Sequence, residues 1–239
     1  MVSQNSSVTI TNLTKKFGTT AVIQNVSFSI PHSTVYALIG PNGAGKTTLL
    51  KMLVGLLYPT SGTAEIENHN IVTETIRTKE QFAYISDDPS GYDYLSGREF
   101  LALTGKLRNI TPTEIEKRIK ELVPLFSMEK HIDARMGEYS RGNREKVVFL
   151  AALLGNPRVL IIDEPIVGLD PESITIFGES LRKFAETGGT VLFTTHILSF
   201  AKQYADMIGV LVNGKIVYEG ETAKNNDIER IYKDFVKES

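Results

Sequence analysis

The chain has 239 residues, 41% of them hydrophobic, which suffices for one large domain without help from disulfides or metals. Cysteine is absent, excluding disulfides, thiolate nucleophiles and cysteine-ligated metal centres, and this fits a reducing cytosol. A formal net charge of −2 argues against a domain built around a broad basic face for nucleic acid.

Residues 1–7 are polar and do not read as a secretory signal. Strands are expected at 8–11, at 22–30 with Phe28 and Ile30 alternating, and at 35–39. A helix should follow over 46–56, because Leu49, Leu50, Leu53 and Leu57 share one face. Residues 59–62 form a turn cluster, and a strand resumes at 63–67. Between 95 and 155 helical periodicity takes over, in 98–107, 112–126 and 140–154. Strands and helices then alternate: strand 159–162, helix 172–185, strand 190–194, helix 197–204, strand 207–212. Asn213-Gly214 suits a tight hairpin turn before a strand at 216–218. After Tyr218 only about two turns of helix are expected, around 227–237, which leaves no room for a further regulatory domain. The apolar runs 35–39 and 159–162 fall far short of the roughly 20 residues that cross a bilayer, so any membrane span must come from a partner.

Gly40-Pro41-Asn42-Gly43-Ala44-Gly45-Lys46-Thr47 meets the pattern G-x-x-x-x-G-K-[ST] between an expected strand and an expected helix. Glycines let the backbone curl around a phosphate chain, and amides at a helix start present donors and a positive dipole end. Lys46 should reach the β- and γ-phosphates, Thr47 should place its hydroxyl on Mg²⁺, and Thr48 can donate to an inner phosphate. The motif marks a nucleoside triphosphate site but is shared by kinases, GTPases, helicases and transport ATPases.

The apolar run 159–162 suits a strand buried on both faces, and it ends in Asp163-Glu164-Pro165. Carboxyl ends of parallel strands face the ligand crevice, so Asp163 can hold Mg²⁺ while Glu164 acts as general base toward water. His196 follows strand 190–194 and lands at the same edge, where it can bond the γ-phosphate or the water.

Over nearly its whole length the chain resembles the ABC ATPase family. Besides the two phosphate-site motifs, Tyr139-Ser140-Arg141-Gly142-Asn143 stands where that family carries its Leu-Ser-Gly-Gly-Gln signature, with Ser140 and Gly142 retained. The resemblance implies an α/β fold: a P-loop NTPase core with a mixed sheet, an N-terminal antiparallel β subdomain and an inserted α-helical subdomain. The core and β subdomain would comprise 1–86 and 156–239, and the insert 87–155. It further implies a head-to-tail dimer, homomeric or heteromeric, with ATP sandwiched between one protomer's loop and the other's Ser140 and Gly142. Ser140 also reads simply as a helix N-cap. Gly168-Leu169-Asp170 is similar to the family's D-loop, placing Asp170 at the nucleotide, and Thr194-Thr195-His196 to its switch histidine. Phe17 falls where the family stacks an aromatic ring on adenine; apart from the resemblance it would read as a core residue.

Two places depart from the pattern. The Q-loop glutamine is replaced in the segment Ser86-Asp87-Asp88-Pro89, where Asp87 occupies its place as an expected metal contact and Asp88 competes with it. Arg141 and Asn143 replace signature residues, and Arg141 is expected to face solvent or another subdomain. Residues 89–98, with Tyr92 and Tyr94, resemble the surface that receives a coupling helix from the membrane subunit, a core role being the alternative for either ring. The resemblance therefore implies an exporter-like, single-domain ATPase subunit using ATP and Mg²⁺. It would sit in the cytoplasm, at the inner face of the cell membrane, on a separate transmembrane permease. The alternative is an ABC-type ATPase acting on ribosomes or nucleic acid, against which stand a single nucleotide domain and the lack of a basic arm.

Overall fold

A computed structural model describes residues 6–87, 91–166 and 169–222, together with 229, 230, 232 and 234. Two sheets organise the described residues. In the first, β1 (Ser6–Phe17) and β2 (Thr20–Pro31) form a long antiparallel hairpin turned by Gly18, β4 (Ser61–Ile66) pairs with the other edge of β1, and β5 (His69–Asn70) pairs with β4. β1 runs well past the expected residue 11. Register shifts around Asn12, which sits at φ 48°, break the alternation of burial that would otherwise mark a continuous strand.

The second sheet has the order β10-β9-β3-β8-β7-β6. Here β3 is Val35–Ile39, β6 Phe82–Ile85, β7 Val159–Ile162, β8 Thr190–Thr195, β9 Met207–Val212 and β10 Lys215–Glu221. β6, β7, β8, β3 and β9 are parallel; β10 adds an antiparallel edge through the Asn213-Gly214 turn. Every side chain of β3 and β7 is buried. The reason is that each face of the sheet is covered: Val35, Ala37 and Ile39 join one core, Tyr36 and Leu38 the other.

Helix α1 (Lys46–Leu53) packs under the first sheet, and Gly55 at φ +74° ends it earlier than the expected residue 56. α2 (Thr75–Gln81) was not anticipated, because only Thr78 is buried and no apolar stripe announces it. Between β6 and β7 come α3 (Gly97–Leu107), α4 (Pro112–Leu122) and α5 (Arg141–Leu154). The stretch 123–126, expected to prolong α4, is instead a 3-10 turn containing Pro124, which has no amide to donate. α6 (Pro171–Glu186) and α7 (Leu198–Tyr204) cover the same sheet face as α5. Phe149 of α5 lies 5.5 Å from Phe126 and 4.7 Å from Phe177 of α6, centroid to centroid, so the helical segment shares its core with the sheet. Residues 227, 228, 231, 233 and 235–237 of the expected terminal helix lie outside the described residues.

Candidate active site

The loop Gly40–Lys46 leaves β3, which lies between β9 and β8 in the parallel sheet, and enters α1. Gly43 and Gly45 take φ +81° and +106°, values that side chains disfavour. Gly40 lies so close to β9 that a Cβ there would stand 2.3 Å from the Leu211 carbonyl oxygen. The amide of Gly214 donates to the carbonyl of Ala44 over 3.0 Å, tying the loop to the β9–β10 hairpin. Helices α3, α4, α5 and α6 are each capped by a side chain at the N-terminus, but α1 has no side-chain cap and no acid in its first turn. Its amides, next to Thr47 and Thr48, are therefore available to an anion.

Lys46 is 6% exposed, and its ammonium donates to the carbonyls of Gly40 (2.9 Å) and Pro41 (3.2 Å). It also pairs with Glu164 Oε1 at 3.2 Å. Glu164 Oε2 meets Nδ1 of His196 at 3.0 Å. A carboxylate only accepts, so Nδ1 carries the proton and Nε2 is left to an incoming group. Glu164 has φ 48°, the left-handed region, and its amide donates to Thr194 Oγ1 over 3.0 Å. Residues 46, 164 and 196 thus converge from α1, the end of β7 and the end of β8.

Asp163 is 1% exposed. Burial pushes its pKa up, hydrogen bonds from Thr194 (2.5 Å, to Oδ1) and Thr47 pull it down, and the charges of Asp87 and Glu164 raise it again. Its Oδ2 is buried with no hydrogen-bond partner. Asp87 is exposed and shares a crevice wall with Asp163 and Glu164. Its competitor Asp88 lies outside the described residues.

Ser140 N-caps α5, accepting from the amide of Asn143 at 3.2 Å. Gly142 faces Leu169, Asp170 and Ser173, so the α5 and α6 N-termini adjoin. Both Asp170 oxygens are engaged as the α6 cap, by the Ser173 amide (2.9 Å) and hydroxyl (2.8 Å), and the amide bond leads in holding its carboxyl below the usual range. Gly168 lies outside the described residues. Arg141 points along its own helix to Glu145 at 3.0 Å. Phe17 is not a core residue: it is 49% exposed at the end of β1, with the Lys15 ammonium 5.0 Å from its ring centre.

Of the expected docking segment, residues 89 and 90 lie outside the described residues. Tyr94 is 89% exposed, whereas Tyr92 packs on Phe100 with centroids 4.6 Å apart. Between them Asp93 pairs with Arg144 of α5 at 2.8 Å, a link from this segment to the signature helix that sequence reasoning missed. Also missed were Glu145 and Tyr84. The Oε2 of Glu145, on the crevice wall, is buried and unpartnered, as is the Tyr84 hydroxyl, whose pKa is raised by burial and then by Asp163 and Asp87. Periodicity marks a residue such as Glu145 as solvent-facing and gives no signal of the cleft it lines.

Among the described residues no helix is long and apolar enough to cross a membrane. A sequence profile of the ABC transporter family matches residues 23–167. The chain is 34% identical over 215 residues to the ABC-type transporter ATP-binding protein EcsA of Bacillus subtilis (strain 168), covering 90% of this chain and 87% of that one. It is 34% identical over 226 residues to the bacitracin transport ATP-binding protein BcrA of Enterococcus faecalis, covering 94% and 72% respectively. A solved structure of an ATP-binding subunit of an ABC transporter superposes with a TM-score of 0.85 at 30% identity, over 97% of this chain and 95% of that one. A phosphate loop after β3, two acids at the end of β7 with β8 between the two strands, and these likenesses lead to one conclusion: the chain belongs to the ABC transporter family, as an ATP-binding and ATP-hydrolysing subunit.

Proposed function

We propose that this subunit closes head to tail with a second ATP-binding subunit, identical or related, around two ATP molecules, and that the cycle drives a separate, exporter-like permease at the inner face of the cell membrane. The observation that carries the reading is the Glu164 carboxylate, held between Lys46 and His196 at the mouth of the phosphate loop. In this reading the backbone from Gly40 through Pro41, Asn42, Gly43, Ala44 and Gly45, with Thr48, cradles the phosphates, and Phe17 stacks on adenine. A γ-phosphate competes with Glu164 for the Lys46 ammonium, and its binding releases the Glu164 carboxylate to a water molecule. Glu164 then takes a proton from that water as the water oxygen bonds to the γ-phosphorus and the bond to the bridging oxygen breaks, with ADP departing. His196 orients the same water and the γ-phosphate through Nε2.

The residues fit Mg²⁺. Asp163 Oδ2 is a buried acceptor without a partner, an atom that a cation would satisfy. Thr47 and Asp163 would hold the ion with Asp87 nearby, and bound there it would neutralise charge on the terminal phosphates. Ser140 and Gly142 would meet the partner's γ-phosphate at the α5 N-terminus, with Asp170 at the seam between them. Loss of the γ-phosphate removes that contact and opens the pair.

Glu164→Gln tests the scheme. Phosphate release should fall by about 10²–10⁴-fold, while ATP stays bound and ATP-loaded protein elutes from gel filtration as a dimer. Hydrolysis at the parent rate refutes Glu164 as base, and monomeric elution with ATP bound refutes closure.

A further inference from the structure

We propose that Thr194 is a positioning residue that sets both carboxylates of the site through one hydroxyl. Thr194 is fully buried on β8, one residue past Phe193, the last β8 residue paired with β7. β7 ends at Ile162 and is followed directly by Asp163 and Glu164, which the Thr194 hydroxyl reaches from near the end of β8.

The polarity of its two hydrogen bonds follows from chemistry. A backbone amide only donates, so Thr194 Oγ1 must accept from the amide of Glu164 (3.0 Å). Its single proton is then directed to Oδ1 of Asp163, 2.5 Å away. Oδ1 is thereby occupied, and Oδ2 remains the buried oxygen without a partner. At the same time the bond to the amide holds Glu164 in its left-handed conformation, which residues with a side chain adopt at a cost. Two residues on, His196 grips the same glutamate at Oε2. β8 therefore holds Glu164 at backbone and carboxylate together, and Thr194 couples that grip to the orientation of Asp163.

A threonine that merely fills space would be replaced by valine without consequence, since the two side chains have nearly the same shape. Here valine would leave the part-buried Glu164 amide and the buried Asp163 Oδ1 without this partner. The adjacent Thr195 makes a different contact, accepting from the amide of Ile197 within its own turn, so the coupling belongs to position 194.

The inference rests on the roles proposed for Glu164 and Asp163. Thr194→Val, Thr194→Ser and Glu164→Gln are compared with the parent for kcat, KM for ATP, the Mg²⁺ concentration giving half-maximal rate, melting temperature, and binding of a fluorescent ATP analogue with and without Mg²⁺. Thr194→Val should lower kcat by about 10- to 100-fold. It should also weaken the gain in analogue affinity that Mg²⁺ confers, a readout independent of turnover, while binding without Mg²⁺ stays at the parent value. Thr194→Ser, which keeps the hydroxyl, should restore both. A folded Thr194→Val with parental kcat and parental Mg²⁺ dependence overturns the proposal, and so does a Thr194→Ser that falls as far as the valine variant. If valine prevents folding, Thr194→Ala carries the same expectation and decides the question. Glu164→Gln separates the two levels. Parental hydrolysis in Glu164→Gln refutes the base assignment, whereas loss there beside a parental Thr194→Val refutes only the role of Thr194.

Discussion

Replacing Gly40 by alanine should damage both the fold and the nucleotide site, because the loop enters the sheet there without room for a methyl group. The added Cβ would stand 2.3 Å from the Leu211 carbonyl oxygen and 3.3 Å from the Ala44 Cβ. The first neighbour is backbone, held in β9 between β3 and β10, and has no rotamer through which to withdraw. Overpacking of this kind costs about 1–3 kcal/mol, and two opposed backbone segments place the cost near the upper end, ~3 kcal/mol. For a chain of this size ~3 kcal/mol lowers the melting temperature by about 6–12 °C. The loop is the side that yields, which pulls the Gly40 carbonyl from the Lys46 ammonium (2.9 Å) and should raise KM for ATP. Gly43→Ala is the control. There φ is +81° but a Cβ meets nothing within 4 Å, so only conformational strain of about 1–2 kcal/mol is added. Thermal melting by circular dichroism, with phosphate release across ATP concentrations, reads both effects. The reasoning is refuted if Gly40→Ala melts with the parent and keeps its KM, or if Gly43→Ala proves the more damaging change.

Two further outcomes are expected. Phe17→Ala should raise KM for ATP by about 5- to 150-fold, the equivalent of ~1–3 kcal/mol of base stacking, and leave kcat near the parent value, with Phe17→Trp retaining affinity; an unchanged KM would remove Phe17 from the base site. Burial holds the pKa of Glu145 above the ordinary glutamate value, its ion pair with Arg141 opposing the shift. The folded state thus binds that proton more tightly than the unfolded chain, so this contribution to stability is complete below the ordinary value and is lost as pH rises through the raised one. Glu145→Gln should flatten that decline in urea-unfolding midpoints taken from acid to neutral pH, and identical slopes for the two proteins would contradict it.

Much of this subunit is determined by local sequence. The all-apolar runs of β3 and β7 report burial on two faces, and the glycine loop with Lys46 has the curvature of the phosphate cradle proposed for it, because spacing along a few residues fixes backbone curvature and facing. Asp163 and Glu164 were legible for the same reason, as two acids directly after a buried strand. Elements without an apolar stripe were not: α2 buries only Thr78, and the second half of β1 loses its alternation at a bulge. Strand order was likewise beyond local pattern, since periodicity says that a face is covered and not by which strand. The convergence of Lys46, Glu164 and His196 depends on β3, β8 and β7 lying side by side, as do the bonds from Thr194 to Asp163 and Glu164. So does the use of Glu145, polar by sequence, as a crevice wall. Residue type and spacing determine what each segment can do, whereas the partner of each carboxylate is decided by long-range register, which no stretch of sequence encodes alone.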